Sequence, residues 1–213
     1  MPAAADPRKQ LSLHGLGLTA LPPEIGKLTK LRVLYLGANH LTTLPPEIGQ
    51  LKSLEYLAVD YNRLSHLPAS IGQLIQLQQL YLSENQLATL PPTIGNLTSL
   101  KVLAVKENRL VSLPSELRLL RRLGHLSLAG NPKLELSPSV LGWGEDFSRA
   151  RVRSILDFYF KRKAGRTRPL NEVKLILVGR GGAGKTSTVR ALLDKPFREG
   201  EEARRESRSA TGR

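Results

Sequence analysis

LRVLYLGANHLTTLPPEIGQLKS, residues 31–53, is followed without a break by LEYLAVDYNRLSHLPASIGQLIQ from residue 54. LQQLYLSENQLATLPPTIGNLTS then starts at residue 77 and LKVLAVKENRLVSLPSELRLLRR at residue 100. Asn39, Asn62, Asn85, Asn108 and Asn131 all fall at one phase of this 23-residue period. A fixed period of this length marks an array of stacked structural units. LGHLSLAGNPKLELSPS opens a further unit at residue 123. An earlier unit, residues 8–30, keeps Leu11, Leu13, Leu18, Leu21 and Ile25 in phase, with Leu16 where Asn is expected.

The positions dictate the local structure. In L-x-x-L-x-L the last two apolar residues alternate with a polar or aromatic one, which suits a short strand with one buried face. Leu34 and Leu36 therefore point inward and Tyr35 outward. The Asn follows at the turn, where its side-chain amide can bond backbone groups of neighbouring coils. Losing such a partner costs on the order of 1–3 kcal/mol. The second half, L-P-P-E-I-G-x-L, places prolines where neither strand nor long helix can continue. An extended or 3₁₀ turn on the convex side is expected, with Leu44, Ile48 and Leu51 inward. One coil cannot bury its leucines alone, whereas six stacked coils make a continuous core. The pattern resembles the leucine-rich repeats, which implies an α/β solenoid, a horseshoe of about six 23-residue coils. L-P-x-x-I-G-x-L is similar to the short intracellular class found in plant Ras-group-related proteins and in Roco proteins. The solenoid with its C-terminal cap is expected over residues 8–145, after a disordered N-terminus at 1–7.

Parallel strands would line a concave face whose central outward position reads Ser12, Tyr35, Ala58, Tyr81, Ala104, Ser127. Around it lie Tyr56, Asp60, Tyr61, Glu84, Lys106 and Glu107. Tyrosine is an efficient anchor, with a large apolar body, a polar tip and little side-chain entropy to lose. Tyr35, Tyr56, Asp60, Tyr61, Tyr81, Glu84, Lys106 and Glu107 are the candidate contacts for a protein partner. Outward tyrosines also favour strands and pack on one another, so a purely structural role stays open. His14, His40, His66 and His125 are scattered over different coils, without metal-ligand spacing, and read as surface residues.

The totals narrow the class. The chain has 213 residues and no cysteine, which removes disulfide, thiolate-metal and thiol-redox chemistry and leans toward a cytoplasmic protein. No secretory leader is visible at the N-terminus, and no run approaches the roughly 20 apolar residues of a membrane helix. The net charge of +14 is uneven: residues 149–213 hold 18 Lys+Arg against 7 Asp+Glu, a net of +11, which leaves +3 for residues 1–148. A basic balance of this kind can serve nucleic acid or anionic lipid. A solvated basic linker is the simpler expectation, because no stacking aromatic platform is interleaved with the cations.

The last coil breaks pattern at NPKLELSPSVLGWGEDFS, where Trp143 and Phe147 are expected to cover the open end of the core. Residues 146–163 then turn helical: Val152, Ile155, Leu156, Tyr159 and Phe160 form an apolar stripe flanked by Arg149, Arg151, Arg153, Lys161, Arg162 and Lys163. A capping helix with a linker, residues 146–170, is expected. A membrane-surface or calmodulin-type basic helix is the alternative.

The second strong signal is NEVKLILVGRGGAGKTSTVRALL, residues 171–193. An apolar strand at 173–178, then G-x-x-x-x-G-K-T at 179–186, then a helical run, is the context in which a phosphate loop is meaningful. Gly179, Gly181, Gly182, Ala183 and Gly184 let backbone N–H groups point at phosphate. Lys185 supplies charge for the β and γ oxygens, Thr186 a hydroxyl for Mg²⁺, and Ser187 continues the loop into a helix N-terminus. The whole order of repeats, short basic helix and R-P-L-N-x-V-K-L-x-L-V-G-x-G-G-A-G-K-T-S resembles the junction between the repeats and the Ras-of-complex GTPase domain of the Roco family. Immune-type ATPases with a similar loop usually carry it before their repeats and are the second resemblance. The Roco resemblance implies GTP or GDP and Mg²⁺ at Gly179, Gly184, Lys185 and Thr186. It also implies a switch-like segment at 206–213 with Thr211 as a second Mg²⁺ contact.

The chain departs from that family after the loop. Neither D-x-x-G nor N-K-x-D follows, and one strand with one helix (residues 171–194) cannot bury their apolar faces. Residues 195–213 are charged and poor in apolar groups, so disorder is expected there. The expectation is a fragment or truncated form of a Roco-like protein, with a complete binding solenoid and a nucleotide site too incomplete for tight binding or GTP hydrolysis. A nucleotide partner belongs to a longer form.

Overall fold

The computed structural model describes residues 9–136 and 149–165. The chain divides into two compact units, residues 1–167 and 168–213, and every described residue lies in the first. Six strands, β1 (Gln10–Ser12), β2 (Val33–Tyr35), β3 (Tyr56–Ala58), β4 (Gln79–Tyr81), β5 (Val102–Ala104) and β6 (His125–Ser127), form one parallel sheet in sequence order. The register advances by one repeat per strand: Leu11, Leu34, Leu57, Leu80, Leu103 and Leu126 form one column, and the residues on either side of them form two outward columns. The middle leucines are in the core, as alternation requires, because successive strand side chains point to opposite faces.

The return half of each coil is a 3₁₀ turn: Pro23–Lys27, Pro46–Gln50, Ala69–Gln73, Pro92–Asn96 and Ser115–Leu119. Each turn follows a proline in extended conformation, such as Pro45 at φ −66° and ψ 147°. The ring fixes φ and offers no N–H to a ladder, so this half of the coil, ten residues past the strand, turns without forming a second strand. Leu44, Ile48 and Leu51 are buried, as expected. The solenoid's helical content is thus entirely 3₁₀. The 3₁₀ turns stack closely because a glycine sits in each of the first four. A Cβ on Gly49 would lie 2.6 Å from the Ser70 carbonyl oxygen, and one on Gly72 would lie 2.4 Å from that of Thr93.

The asparagine column performs the role the sequence suggests. Asn85 Oδ1 accepts from the Leu64 N–H at 2.9 Å, and its Nδ2 donates to the carbonyls of Val59, Leu82 and Ser83 at 2.9, 3.0 and 3.2 Å. Asn39, Asn62, Asn108 and Asn131 repeat this pattern, and all five are buried. Each amide thereby satisfies backbone that has left the sheet in its own coil and the preceding one. The residue before each Asn is left-handed: Ala38, Tyr61, Glu84 and Glu107 at φ 51–55°, and Gly130 at 72°. The first coil places Gly15 at the same phase, at φ 69°. In this conformation the Ala38, Tyr61, Glu84 and Glu107 N–H groups donate to carbonyls of the next coil at 2.8–3.0 Å.

The α-helix α1 spans Arg149–Lys163 and buries Val152, Ile155, Leu156 and Tyr159 against the last coil, with Phe160 half-buried. Tyr159 Oη accepts from the Leu113 N–H at 3.0 Å, which satisfies a buried backbone donor at the end of the core. Arg118 pairs with Asp157 at 3.2 Å, and Arg162 with Glu135 at 2.6 Å. The helix packs its apolar face on the last coil. Trp143, Phe147 and the expected helix start at 146 lie outside the described residues, as does everything from 166 onward. That range includes the phosphate loop (Gly179, Gly181, Gly182, Ala183, Gly184, Lys185, Thr186, Ser187) and Thr211.

Candidate functional site: the concave face

The outward columns of the sheet decide what a partner meets. Ser12, Tyr35, Ala58, Tyr81, Ala104 and Ser127 share one column, and Gln10, Val33, Tyr56, Gln79, Val102 and His125 the other. Tyr56 thus lies diagonally between Tyr35 and Tyr81. Its ring centroid is 5.1 Å from that of Tyr35 and 5.3 Å from that of Tyr81, tilted by 52° and 37°. Tilted rings at this separation are favourable because the quadrupoles meet edge to face. The three rings form one cluster across β2, β3 and β4. Ala58 makes it possible: it stands between Tyr35 and Tyr81 in register, and its methyl leaves room for the rings. Ala58 and Ala104 are only 8% exposed, so these two positions of the outward column contribute floor rather than contact surface, a correction to the reading from alternation.

Polar groups fix the cluster. Tyr81 Oη donates to Gln79 Oε1 at 2.8 Å. Asp60 Oδ1 accepts from the Ser83 N–H at 2.8 Å, which ties coil to coil. Burial pushes the Asp60 carboxyl above its usual range, and the hydrogen bonds from the Ser83 and Asp60 N–H groups oppose this. Burial likewise raises the Tyr56 hydroxyl, helped by Tyr81, Tyr35 and Asp60, and the Tyr81 hydroxyl, helped by Asp60. Asp60 stands two residues past Ala58, which lies between Tyr35 and Tyr81 in register, and its bond to Ser83 reaches two residues past Tyr81.

Of the eight candidate contacts, the structure brings Tyr35, Tyr56, Tyr81 and Asp60 together. Tyr61, Glu84 and Glu107 form a separate row, since all three occupy the left-handed position of successive coils. They and Lys106 are exposed. His14, His40 and His66 are exposed as expected, whereas His125 is half-buried in the outward column, and burial lowers its pKa. Gln79 was not foreseen. Its signal is its register, two residues before an outward tyrosine. Among the described residues no group of three or more His, Asp or Glu side chains could hold a metal ion, and no helix is long and apolar enough to cross a membrane.

Comparison with known proteins agrees with this architecture. The family described as leucine-rich repeat region matches residues 9–86, and the leucine rich repeat family matches residues 75–132. No curated protein matches the chain. Among solved structures, the LRR ectodomain of the receptor kinase SOBIR1 from Arabidopsis thaliana is 31% identical with a TM-score of 0.52, covering 57% of this chain and 70% of that one. The LRR ectodomain of the plant receptor kinase GASSHO1/SCHENGEN3 from Arabidopsis thaliana, in complex with Casparian strip integrity factor 2, is 36% identical with a TM-score of 0.50, covering 58% of this chain and 16% of that one. An LRR protein of Leptospira interrogans is 39% identical with a TM-score of 0.46 over 54% of this chain and 35% of that one. This chain thus spans about a third or less of the Leptospira and GASSHO1 structures. Period, sheet, asparagine column and family matches converge: the repeat region of this chain belongs to the leucine-rich-repeat families.

Proposed function

We propose that the chain is a protein-interaction scaffold that engages a protein partner on its concave face, with Tyr35, Tyr56 and Tyr81 at the centre of the contact. The observation that carries this reading is the three-ring cluster on the outward columns of β2, β3 and β4, where all three tyrosines are partly exposed. Clustered aromatics over a rigid sheet suit a binding hot spot, because little conformational entropy is lost on association. The GASSHO1 ectodomain complex supports the idea that a solenoid of this kind holds a protein ligand. The test is capture of partners by the full chain and by a Tyr35→Ala/Tyr56→Ala/Tyr81→Ala variant whose circular dichroism matches the parent. Partners that depend on the cluster are expected to be lost. Retention of every partner by the folded variant overturns the reading.

The motif at 179–186 favours a second role, for a longer form of the protein. The donor set fits a nucleoside triphosphate with Mg²⁺: glycine N–H groups for phosphate, Lys185 for charge and Thr186 for the metal. With the Roco-like order of segments, the repeats would be the sensor arm of a cytoplasmic GTP-binding signalling protein. Lys185→Ala should abolish binding of a fluorescent GTP analogue in the longer form, and equal binding by parent and variant removes this role.

A further inference from the structure

The concave face carries an acidic strip on a strongly basic chain. Overall the protein is +14, yet Asp60 stands two residues past Ala58 at the edge of the tyrosine cluster, and Glu84 and Glu107 follow in the next two coils, one residue further along each. Among the described residues the ion pairs are Arg32–Glu55, Arg118–Asp157 and Arg162–Glu135, and none of them uses Asp60, Glu84 or Glu107. Asp60 Oδ1 accepts from the Ser83 N–H at 2.8 Å, which fixes the position of the carboxylate. A tyrosine face beside a fixed carboxylate is the arrangement that holds a guanidinium, since the ring stacks on its plane and the carboxylate takes its N–H groups. We propose that this strip takes an arginine-containing, extended basic segment of a protein partner, with one arginine over the Tyr56 and Tyr81 rings against Asp60, and further cations at Glu84 and Glu107.

The inference rests on the concave face being the binding face and adds the chemistry of its occupant. The strip's charge opposes that of the whole chain, so general electrostatics do not draw a basic segment to it. Recognition has to come from the local pairing of ring and carboxylate. Glu84 and Glu107 follow the rise of the solenoid by one coil each, so an extended segment running across the strands meets a carboxylate at each step.

The test uses the full chain and a fluorescein-labelled peptide of Gly-Arg repeats, with the same peptide carrying citrulline in place of arginine as control. Anisotropy should show saturable, salt-sensitive binding of the arginine peptide only. Asp60→Asn keeps the acceptor for the Ser83 N–H, so it preserves the fold, and it should weaken binding about tenfold, the loss of one charge-assisted contact. Glu84→Gln/Glu107→Gln provides a second variant at exposed positions and should weaken it further. Equal binding of the citrulline peptide, no saturable binding, or binding unchanged in both variants overturns the inference. Partner capture separates the two failures. If the triple alanine variant loses its partners while the charge variants leave peptide binding unchanged, the binding face stands and only the cationic occupant falls.

Discussion

Replacing Gly72 by alanine adds one methyl group where two neighbouring coils come closest. The new Cβ would lie 2.4 Å from the Thr93 carbonyl oxygen, 2.7 Å from Thr93 Cβ and 3.0 Å from the Thr93 carbonyl carbon. The shortest contact is roughly 1 Å inside van der Waals separation. It cannot be relieved by a rotamer change, because the obstructing atom is backbone within the 3₁₀ turn Pro92–Asn96. The turns Ala69–Gln73 and Pro92–Asn96 must therefore separate, which also strains the 2.8 Å bond from Thr93 Oγ1 to the Ala69 carbonyl. Overpacking of this kind costs about 3 kcal/mol, the upper end for a tightly packed site. Gly72 has no positive φ, so alanine is otherwise compatible with the backbone and recovers about 0.5–1 kcal/mol from the unfolded chain. The net expectation is a loss of about 2 kcal/mol, read as a lowered urea midpoint by far-ultraviolet circular dichroism. Position 118 is the internal control: it has the same phase, and an arginine occupies it where the run of stacked 3₁₀ turns ends. Arg118→Ala should cost no more than about 1 kcal/mol, the value of its exposed ion pair with Asp157. A Gly72→Ala midpoint within about 0.5 kcal/mol of the parent would refute the claim that the glycine column sets the coil spacing.

Three further outcomes follow from the same geometry. Asn85→Ala strips the Leu64 N–H of its acceptor and three carbonyls of their donor, all at the coil interface; a loss of about 3 kcal/mol is expected by chemical denaturation, and a loss under about 1 kcal/mol would mean that water replaces the amide. Glu84→Gly relieves a left-handed residue at φ 55° and should raise stability by up to about 1 kcal/mol, whereas Gly130→Ala should lower it, since it puts a Cβ on a residue at φ 72°; thermal melts of the two variants should move in opposite directions. His125 has its pKa lowered by burial, so the unfolded chain binds its proton more readily. Its contribution to stability is present above the unfolded value of about 6.5 and is lost as pH falls below it, and His125→Gln should flatten the stability profile in that window.

Much of the repeat fold was legible in the sequence, because each of its causes recurs every 23 residues in the chain itself. The alternation at Leu34, Tyr35 and Leu36, the prolines that open each 3₁₀ turn, the inward Leu44, Ile48 and Leu51, and the asparagine column all follow from local stereochemistry and one period. The apolar stripe from Val152 to Tyr159 likewise predicted which face of α1 closes the core. The candidate site was legible only in part. The sequence places tyrosines outward, but not which rings touch. That depends on the diagonal set by a parallel register and on the small Ala58 between Tyr35 and Tyr81.

The sequence by itself determined the period, the strand and turn halves of each coil, and the residues that enter the core, since these depend on neighbours along the chain. The tertiary structure alone decided how closely coils stack, and with it three things. Tyr61, Glu84 and Glu107 became a row of left-handed residues. Gly26, Gly49, Gly72 and Gly95 became contacts between backbones. The Asp60 carboxylate was tied to the Ser83 N–H of the next coil. Gly15 and Gly130 at the left-handed phase carried the first of these signals in the sequence, yet it becomes readable only once adjacent coils are superposed. The physical reason is the same in each case: a single coil has no partner for these groups, and their conformations are fixed by the N–H and C=O groups of its neighbours.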